Sequence, residues 1–481
     1  MNKKLVVLMF LFVLLASCGK DILVTPIPAT PTIALTNTLL PSPTIVPNPT
    51  EKIFSPLSEK GPYLLIREDY SANKFILYDV DGAGKKIINL PLNGYTKGLD
   101  EKLNNSVSPD GKWLVFYTGS FGDIDHNQEL PITIKLLNLV DETVVEITDI
   151  VADTKLVDFA SSIFISVWSP DARQLAFSGA IDGTSSDVYL YNINLKTIRR
   201  INDDDQDVSR IWWSPNGEYI VLENYVSRDI FTTTSVHFIK PTDETIKTPK
   251  PLWEKTWGGI IGWLSSETIL MTGATHTAGF TNLDLLNVST GQEKHIWNDL
   301  YGDTAIDYQN QIIAMSTSDY FPPENPGIYF IDFNGNKKLV LDGYYYNLVF
   351  RGGNKNRFLA LDYSLKKEAH LMAIALDGTT TELKYVENYE SAISPDYSWL
   401  LIYNGQEVNL YDEHDNFVRN LEISGIYEIT WRPDSKGFFY STREGLHYLE
   451  IRGDHKSVFV DKCMTEGCSF QLDEYNSVWL P

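Results

Sequence analysis

Short apolar strands and polar turns alternate from about residue 61 to the end of the chain, and no helical period separates them. A turn of Ser-Pro-Asp type recurs directly after an apolar strand. Its copies are Val107–Gly111, Trp168–Ala172, Trp213–Gly217, Ile393–Asp396 and Trp431–Asp434. Pro presets φ at the second turn position, and Asp or Asn hydrogen-bonds to nearby backbone. We therefore expect a strand to end and reverse at each copy.

A second pattern, an apolar strand that runs into an acidic or glycine-containing turn, recurs where the first is weak. Examples are Leu77–Gly82, Leu190–Asn194, Phe330–Gly335 and Leu410–Asp412. Together the two patterns mark nine units of about 47 residues, each with about four short strands joined by hairpins. A count of eight stays open, because the unit from about residue 389 to 424 is short.

Radial repetition of four-stranded antiparallel units predicts an all-β fold, a single β-propeller. An open array would leave an unpaired strand edge at each end, so the ring has to close. The first unit, Pro62–Pro91, lacks a leading strand, whereas the C-terminal Ser477–Pro481 repeats the pattern of Ser166–Pro170. We predict that the C-terminal strand closes the ring as the innermost strand of the first blade.

The Ser-Pro-Asp-Gly turn, followed by a strand such as Trp113–Phe116, resembles the TolB-like, WD-type propeller repeat. That repeat also occurs in the propeller halves of prolyl-oligopeptidase-type enzymes. The resemblance covers nearly all of residues 61–481, with decayed turns near Trp263, Asp307 and Arg351. It implies a propeller and leaves the function open, since the repeat serves scaffolds, receptors and enzyme gates. We expect neither the amino-terminal α/β domain of TolB proteins nor a hydrolase domain.

The first residues have the pattern of a lipoprotein signal. Two lysines precede the apolar run Leu5–Leu15, and Leu15-Ala16-Ser17-Cys18 follows at once. About 11 apolar residues are too few to span a bilayer, although an uncleaved anchor helix is the alternative. We predict a signal peptide over residues 1–17 and lipidation of Cys18.

Residues 18–57 are predicted to be a lipid-anchored linker, and residues 58–481 the propeller. Seven prolines lie between Thr25 and Thr50, a composition that favours an extended stalk over a core. A merely tolerated disordered tail is the other interpretation. The whole chain has a formal net charge of −23, which makes nucleic acid an unsuitable partner. We expect a monomer, anchored at the cell membrane and facing the extracytoplasmic side.

The sequence contains no familiar catalytic motif. A Gly-x-Ser-x-Gly elbow, His-Glu-x-x-His, a P-loop and Gly-x-Gly-x-x-Gly are all absent, and the eight histidines are scattered. Cys463 and Cys468 are expected to form a small-loop disulfide in an exported chain. Zinc binding by these cysteines with His447 and His455 is the alternative. No cofactor is predicted.

Two acidic segments have oxygen side chains at close spacing. Asp123–Glu129 begins like a calcium loop but has Gln128 at the position usually held by glycine, so a solvated acidic loop is the preferred interpretation. Asn202–Asp207 is interpreted first as an exposed inter-blade turn and second as a cation site.

Tryptophans recur just before the repeat turn, at positions 168, 213, 431 and 479, and are expected to pack between blades. Trp212 precedes one of them, so strand alternation turns it to the opposite face. There it is either a ligand platform or an adapted core contact. Three segments are expected to be irregular loops, namely Thr118–Leu130, Asn224–Thr234 and Ser316–Pro326, the last with Tyr320 and Phe321 as ligand-contact candidates.

These observations predict a lipid-anchored, non-enzymatic propeller that binds an envelope or extracellular protein, peptide or glycan. The alternative is a propeller enzyme that acts on glycans through a pair of carboxylates in the channel. Two buried carboxylates beside exposed aromatic rings would favour the enzyme, and a funnel of mixed small polar groups would favour the binding module.

Overall fold

The structure is a computed structural model of the whole chain. The chain divides into two compact units, residues 1–53 and 54–481, and only the second contains described residues. The predicted signal peptide, Cys18 and the stalk therefore lie outside them. The described residues are 57, 61–67, 74–90, 103–119, 130–152, 165–179, 181, 187–202, 208–228, 231–242, 253–256, 258–274, 281–298, 301–317, 325–352, 356–362, 369–386, 390–451, 457–462, 470–473 and 476–481.

Nine antiparallel sheets, called blades 1 to 9, form the described part of the propeller. Blade 1 contains β1 (Tyr63–Arg67), β2 (Lys74–Asp79) and β3 (Lys85–Asn89). Blade 2 follows the short helix α1 (Leu103–Ser106) and contains β4 (Trp113–Gly119), β5 (Leu130–Asn138) and β6 (Val144–Ala152). Blade 3 contains β7 (Ser166–Trp168), β8 (Gln174–Gly179), β9 (Asp187–Asn192) and β10 (Thr197–Arg200).

Blades 4 to 6 each have four consecutive strands. Blade 4 contains β11 (Val208–Trp213), β12 (Ile220–Arg228), β13 (Phe231–Ile239) and β14 (Trp253–Thr256). Blade 5 contains β15 (Gly259–Trp263), β16 (Thr268–Ala274), β17 (Thr281–Asn287) and β18 (Glu293–Trp297). Blade 6 contains β19 (Tyr301–Asp307), β20 (Ile312–Thr317), β21 (Gly327–Asp332) and β22 (Lys337–Asp342).

Blades 7 to 9 have the same four-stranded order. Blade 7 contains β23 (Tyr345–Arg351), β24 (Arg357–Asp362), β25 (Ala369–Ala375) and β26 (Thr380–Val386). Blade 8 contains β27 (Glu390–Ile393), β28 (Leu400–Tyr403), β29 (Val408–Tyr411) and β30 (Phe417–Asn420). Blade 9 contains β31 (Ile426–Trp431), β32 (Gly437–Thr442), β33 (Gly445–Glu450) and β34 (Val458–Asp461), and the last strand is β35 (Ser477–Leu480).

The count of nine is confirmed, and the short unit near residues 389–424 is a full blade. Blade 2 departs from the pattern because its sheet has three strands, and its innermost position is reduced to a single bridge between Val107 and Leu114. The first strands of neighbouring blades contact each other, as β7 does β11 and β19 does β23. These first strands therefore lie innermost.

The C-terminal strand closes the ring, as predicted. β35 pairs antiparallel with β1, from Tyr63 opposite Leu480 to Ile66 opposite Ser477. An apolar cluster lies at each of the nine junctions between neighbouring blades, including the junction between blades 9 and 1. Asp461 of blade 9 also accepts hydrogen bonds from Tyr78 at 2.8 Å and Lys85 at 2.6 Å, both in blade 1.

The recurrent turn is held by its serine and by the Asp or Asn two residues later. The Ser108 hydroxyl donates to Asp110 Oδ1 at 2.6 Å and accepts from the Trp113 N–H at 2.9 Å. The copies that begin at Ser169, Ser214 and Ser394 repeat both bonds. Burial alone would raise the pKa of Asp110, but the bonds from Ser108 and Lys112 outweigh it and lower that pKa.

The tryptophans before the turn pack between blades, as predicted. Trp168, Trp213 and Trp431 are buried, and Trp479 packs on Phe439 with ring centroids 5.8 Å apart. Three of the indole N–H groups reach the preceding blade. Trp168 donates to Ser106 O at 3.2 Å, Trp213 to Val167 O at 3.1 Å and Trp479 to Thr430 Oγ1 at 3.2 Å. Each of these three indoles therefore joins two blades through an apolar ring and one directional bond.

One of the expected loops is largely strand. The segment Asn224–Thr234 lies mostly in β12 and β13, which pair from Ile220 opposite Ile239 to Arg228 opposite Phe231. β20 extends to Thr317, so Ser316 and Thr317 belong to a strand rather than to a loop. The expectation of an irregular loop over Asn224–Thr234 was therefore wrong, because this polar segment pairs as two strands. For Ser316–Pro326 only the first two residues are strand, and residues 318–324 lie outside the described residues. Among the described residues, no helix has the length and apolar character needed to cross a membrane.

Candidate ligand site on the inner strands of blades 6 to 8

A cavity of about 620 Å³ lies on the inner strands of blades 6, 7 and 8. Blade 6 contributes Gly302–Thr304, and blade 7 contributes Asn347–Val349 together with strand residues behind them. Blade 8 contributes Glu390, Ser391 and Ile402. The full lining is Gly302, Asp303, Thr304, Asn347, Leu348, Val349, Leu359, Leu361, Leu371, Glu390, Ser391 and Ile402. The cavity volume falls within the range of about 300–1,000 Å³ that is typical of ligand pockets.

Two facing β-bulges build one side of this cavity. The pairing of β19 with β20 shifts between Tyr301 and Thr304, and that of β23 with β24 shifts between Tyr346 and Val349. The extra residues turn away from their own ladders toward each other. Asp303 Oδ2 accepts a hydrogen bond from the Asn347 backbone N–H at 2.6 Å. The bulges of blades 6 and 7 are therefore joined directly.

The conformations of the bulges explain their sequences. Asn347 has a φ of 53°, and asparagine tolerates the left-handed region better than most residues. The Asp303 backbone N–H donates to Ser316 Oγ at 2.9 Å. A Cβ at Gly302 would lie 2.8 Å from the same Ser316 oxygen, so glycine leaves room for that bond. This close approach requires a residue without a side chain.

Glu390 forms the opposite side of the cavity. It is exposed at the start of β27, and its Oε2 accepts a hydrogen bond from the Tyr403 hydroxyl at 2.9 Å. Burial raises the pKa of Tyr403, and Glu390 raises it further, so this phenol stays a donor. Asp303 Oδ1 and Glu390 Oε1 have no hydrogen-bond partner among the residues that the structure describes. Each carboxylate thus keeps one acceptor oxygen available to a ligand.

The floor of the cavity is aliphatic. Leu348, Leu359, Leu361, Leu371 and Ile402 are all buried, with at most 6% of their surface exposed. They belong to the apolar clusters between blades 6 and 7 and between blades 7 and 8. Asp303, Asn347, Glu390 and Ser391 lie above this floor. A ligand here meets hydrogen-bonding groups at the rim and hydrocarbon beneath.

A third carboxyl group lies on the inner strand of the next blade. Burial raises the pKa of Glu428 on β31, and the charges of Asp473 and Glu390 add to that increase. Glu428 Oε2 also accepts the backbone N–H of Leu472, in the segment that leads into β35. Glu428 therefore combines a structural bond with an electrostatic coupling to the cavity.

Trp212 is the one predicted ligand contact within the described residues. It is half-buried on β11, packs with the cluster between blades 4 and 5, and donates to Glu223 Oε2 at 3.2 Å. It does not line the cavity. Its surroundings match the core-contact alternative, with a bond to the fully buried Glu223. Tyr320, Phe321, Cys463 and Cys468 lie outside the described residues.

The metal hypotheses fall mainly on segments outside the described residues. These are positions 123–129, 203–207, 455, 463 and 468. Asn202 was interpreted as part of an exposed turn but is fully buried, and its Oδ1 accepts the Val188 N–H at 2.5 Å. His447 stacks on Tyr440, with ring centroids 5.0 Å apart. The described residues contain no group of three or more His, Cys, Asp or Glu side chains suited to a metal.

Asp303, Asn347 and Glu390 were not predicted from the sequence. The decayed turns near Asp307 and Arg351 lie in blades 6 and 7, but the first two strands of blades 4, 5 and 9 also shift register, so neither feature singles out this site in the sequence. The cavity lining has features expected of the enzyme and features expected of the binding module. Two carboxylates line the cavity, but small polar residues accompany them, and the lining contains no aromatic ring.

Comparisons with known proteins support the fold alone. No family model matches the sequence, and neither does any curated protein. A eukaryotic initiation factor structure is 11% identical, with a TM-score of 0.53 over 87% of this chain and 98% of that chain. At that identity the likeness shows a shared propeller fold and no shared function.

Two further structures are similar at TM-scores below 0.5. Dipeptidyl peptidase 4 from Porphyromonas gingivalis is 11% identical, with a TM-score of 0.48 over 80% of this chain. This chain spans 63% of the length of that peptidase. A structure described as TolB from Agrobacterium tumefaciens is 12% identical, with a TM-score of 0.28 over 53% of this chain and 88% of that chain. Neither likeness bears on function.

Proposed function

We propose that this chain is a lipid-anchored, extracytoplasmic binding module whose propeller receives its ligand in the cavity of blades 6 to 8. The observation that carries the proposal is the rigid, hydrogen-bonded rim around an apolar floor. Asp303 and Glu390 are both fixed as acceptors, by the Asn347 N–H and the Tyr403 hydroxyl. Such a site can select a ligand by shape and charge without any reactive group.

The same bonds argue against acid–base catalysis in this cavity. Glycoside hydrolysis requires one carboxyl group that donates a proton and a second that acts as base or nucleophile. The structure does not differentiate Asp303 and Glu390 in this way, since one oxygen of each accepts a hydrogen bond from a neighbour. Glu428 is the residue whose raised pKa suits a proton donor, but it is outside the cavity lining and bonds to Leu472.

The experiment compares binding with turnover. The full-length chain, purified in detergent, is incubated with defined peptide and oligosaccharide mixtures, and mass spectrometry identifies retained and altered compounds. We expect a retained, unaltered ligand whose retention falls in Glu390→Gln and persists in Glu218→Gln, a control on an exposed turn of blade 4. If the wild-type chain converts a compound and Glu390→Gln does not, this result would favour the glycan-active enzyme or another hydrolase.

The anchor and the location rest on the N-terminal pattern, which ends in Ala16-Ser17-Cys18. Metabolic labelling with a fatty acid should mark the wild-type protein and not Cys18→Ala. Protease added to intact cells should cleave the wild-type protein if the propeller faces outward from the membrane. Continued labelling of the alanine variant would remove the support for a lipid anchor while leaving the cavity argument untouched.

A further inference from the structure

The charge in the cavity of blades 6 to 8 is of one sign. Asp303 and Glu390 stand on opposite sides, and the lining contains no Lys, Arg or His. The chain as a whole has a formal net charge of −23, so the field outside the cavity does not offset these carboxylates. An anionic ligand would be repelled. A cationic group is the complement of this rim.

The available oxygens are arranged to receive a donor. Asp303 Oδ1 and Glu390 Oε1 each lack a partner within the described part of the chain, while the second oxygen of each carboxylate is held in place. Hydrogen bonds between a cationic donor and a carboxylate are shorter and stronger than those between neutral groups. The rim therefore favours a group with several N–H donors, such as an ammonium or a guanidinium.

The aliphatic floor determines which kind of ligand can place a cation in this cavity. It consists of leucine and isoleucine side chains, and the lining has no aromatic face on which a sugar ring could stack. Lysine and arginine place a charged head on an aliphatic stem, and such stems pack along apolar surfaces. A neighbouring aliphatic residue of the same ligand would fill the remaining floor.

We infer that the cavity binds a peptide segment containing a lysine or arginine next to an aliphatic residue, with the cation between Asp303 and Glu390. This inference rests on the proposed binding function and names its ligand class. We therefore expect a peptide rather than a glycan, with an internal side chain that is basic rather than anionic or neutral. Glu428, on the first strand of blade 9, is coupled electrostatically to Glu390.

The test uses two capped probes that differ in one charge. N-acetyl-Leu-Lys-Leu-amide and its norleucine analogue are titrated into the full-length chain in detergent by isothermal titration calorimetry. The lysine probe should bind at least tenfold more tightly at 50 mM NaCl, and the difference should shrink at 500 mM as salt screens the carboxylates. Both termini are blocked, so binding reports the side chain rather than a free amine.

Variants then locate the interaction. Asp303→Asn and Glu390→Gln remove charge while keeping an oxygen for the bonds from Asn347 and Tyr403. Each should weaken the lysine probe about tenfold, equivalent to about 1.4 kcal/mol, and leave the norleucine probe unchanged. Glu218→Gln is the control for loss of one negative charge elsewhere. Circular dichroism melting of every variant separates loss of binding from loss of fold.

The outcomes distinguish this inference from the broader proposal. Equal affinity for both probes, no binding of the lysine probe, or an unchanged affinity in both cavity variants would overturn the basic-peptide inference. Binding of chitotriose that is lost in Glu390→Gln would also overturn it, yet would leave a binding module standing. Cleavage of either probe or of chitotriose, abolished by Glu390→Gln, would overturn the binding module itself.

Discussion

Asp415 compensates two arginines buried between blades 7 and 8, and Asp415→Asn should destabilise the propeller. Arg351 and Arg357 are a directly opposed pair on β23 and β24, with side chains at most 4% exposed. Asp415, in the hairpin between β29 and β30, accepts from Arg351 Nη1 through Oδ1, and its Oδ2 lies 2.5 Å from Arg357 Nε. The φ of Asp415 is 65°, a conformation that asparagine also tolerates. The substitution therefore removes charge with little change in shape.

The magnitude follows from the burial of both cations. Burial lowers the pKa of Arg351 to about 10 even though Asp415 opposes that shift. Removal of one partner from a buried ion pair costs about 3–5 kcal/mol, because a charge is left without compensation. The unfolding entropy of a unit the size of residues 54–481 is about 0.9 kcal/mol/K. The melting temperature should therefore fall by about 3–6 °C.

Differential scanning calorimetry of the purified full-length chain measures this shift. Asp332→Asn is the matched control, because Asp332 accepts two hydrogen bonds from Asn336 in the corresponding hairpin of blade 6. It has no bond to a buried arginine among the described residues, so its melting temperature should stay within about 1 °C of wild type. Equal melting of Asp415→Asn and the control would refute the argument that Asp415 compensates a buried charge.

Three further variants or measurements test closure, electrostatics and covalent structure. Gly111→Ala should have a lower melting temperature than Gly217→Ala in the same calorimeter. Both glycines have a φ near 70°, but an added Cβ at residue 111 would lie 2.7 Å from the terminal proline, whereas an added Cβ at residue 217 would lie 3.8 Å from its nearest neighbour. Because burial raises the pKa of Glu428 above its ordinary 4.5, its ionisation should cost stability as pH rises through the raised pKa. The urea midpoint of Glu428→Gln relative to wild type should therefore be higher at pH 7 than at pH 4. Non-reducing peptide mapping should recover Cys463 linked to Cys468, and two alkylated thiols would contradict the disulfide.

The regular part of the fold was accessible from local sequence because it depends on local chemistry. Each Ser-Pro-Asp turn contains its own donors and acceptors, so five residues suffice to predict a reversal. The likeness of Ser477–Pro481 to Ser166–Pro170 likewise identified the closing strand. Repetition supplied the rest, since nine similar segments constrain the architecture more strongly than one does.

The candidate site could not be predicted from the sequence, because it does not depend on local chemistry alone. Asp303, Asn347 and Glu390 belong to three blades and meet only after two ladders have each gained a bulge. A bulge leaves little trace in hydrophobic alternation, because one extra residue merely shifts the pattern. Asp415 was missed too, because its role depends on arginines more than 50 residues away along the chain.

The pairing of β1 with β35 also imposes an order on biosynthesis. The ribosome makes β35 about 400 residues after β1, which at about 5–20 residues per second is a delay of roughly 20–80 s. During that interval the inner edge of β1 has no strand to pair with, and such an edge is a template for unwanted pairing with other chains. A message truncated shortly before Ser477 would thus yield an aggregation-prone open array and not a slightly smaller ring.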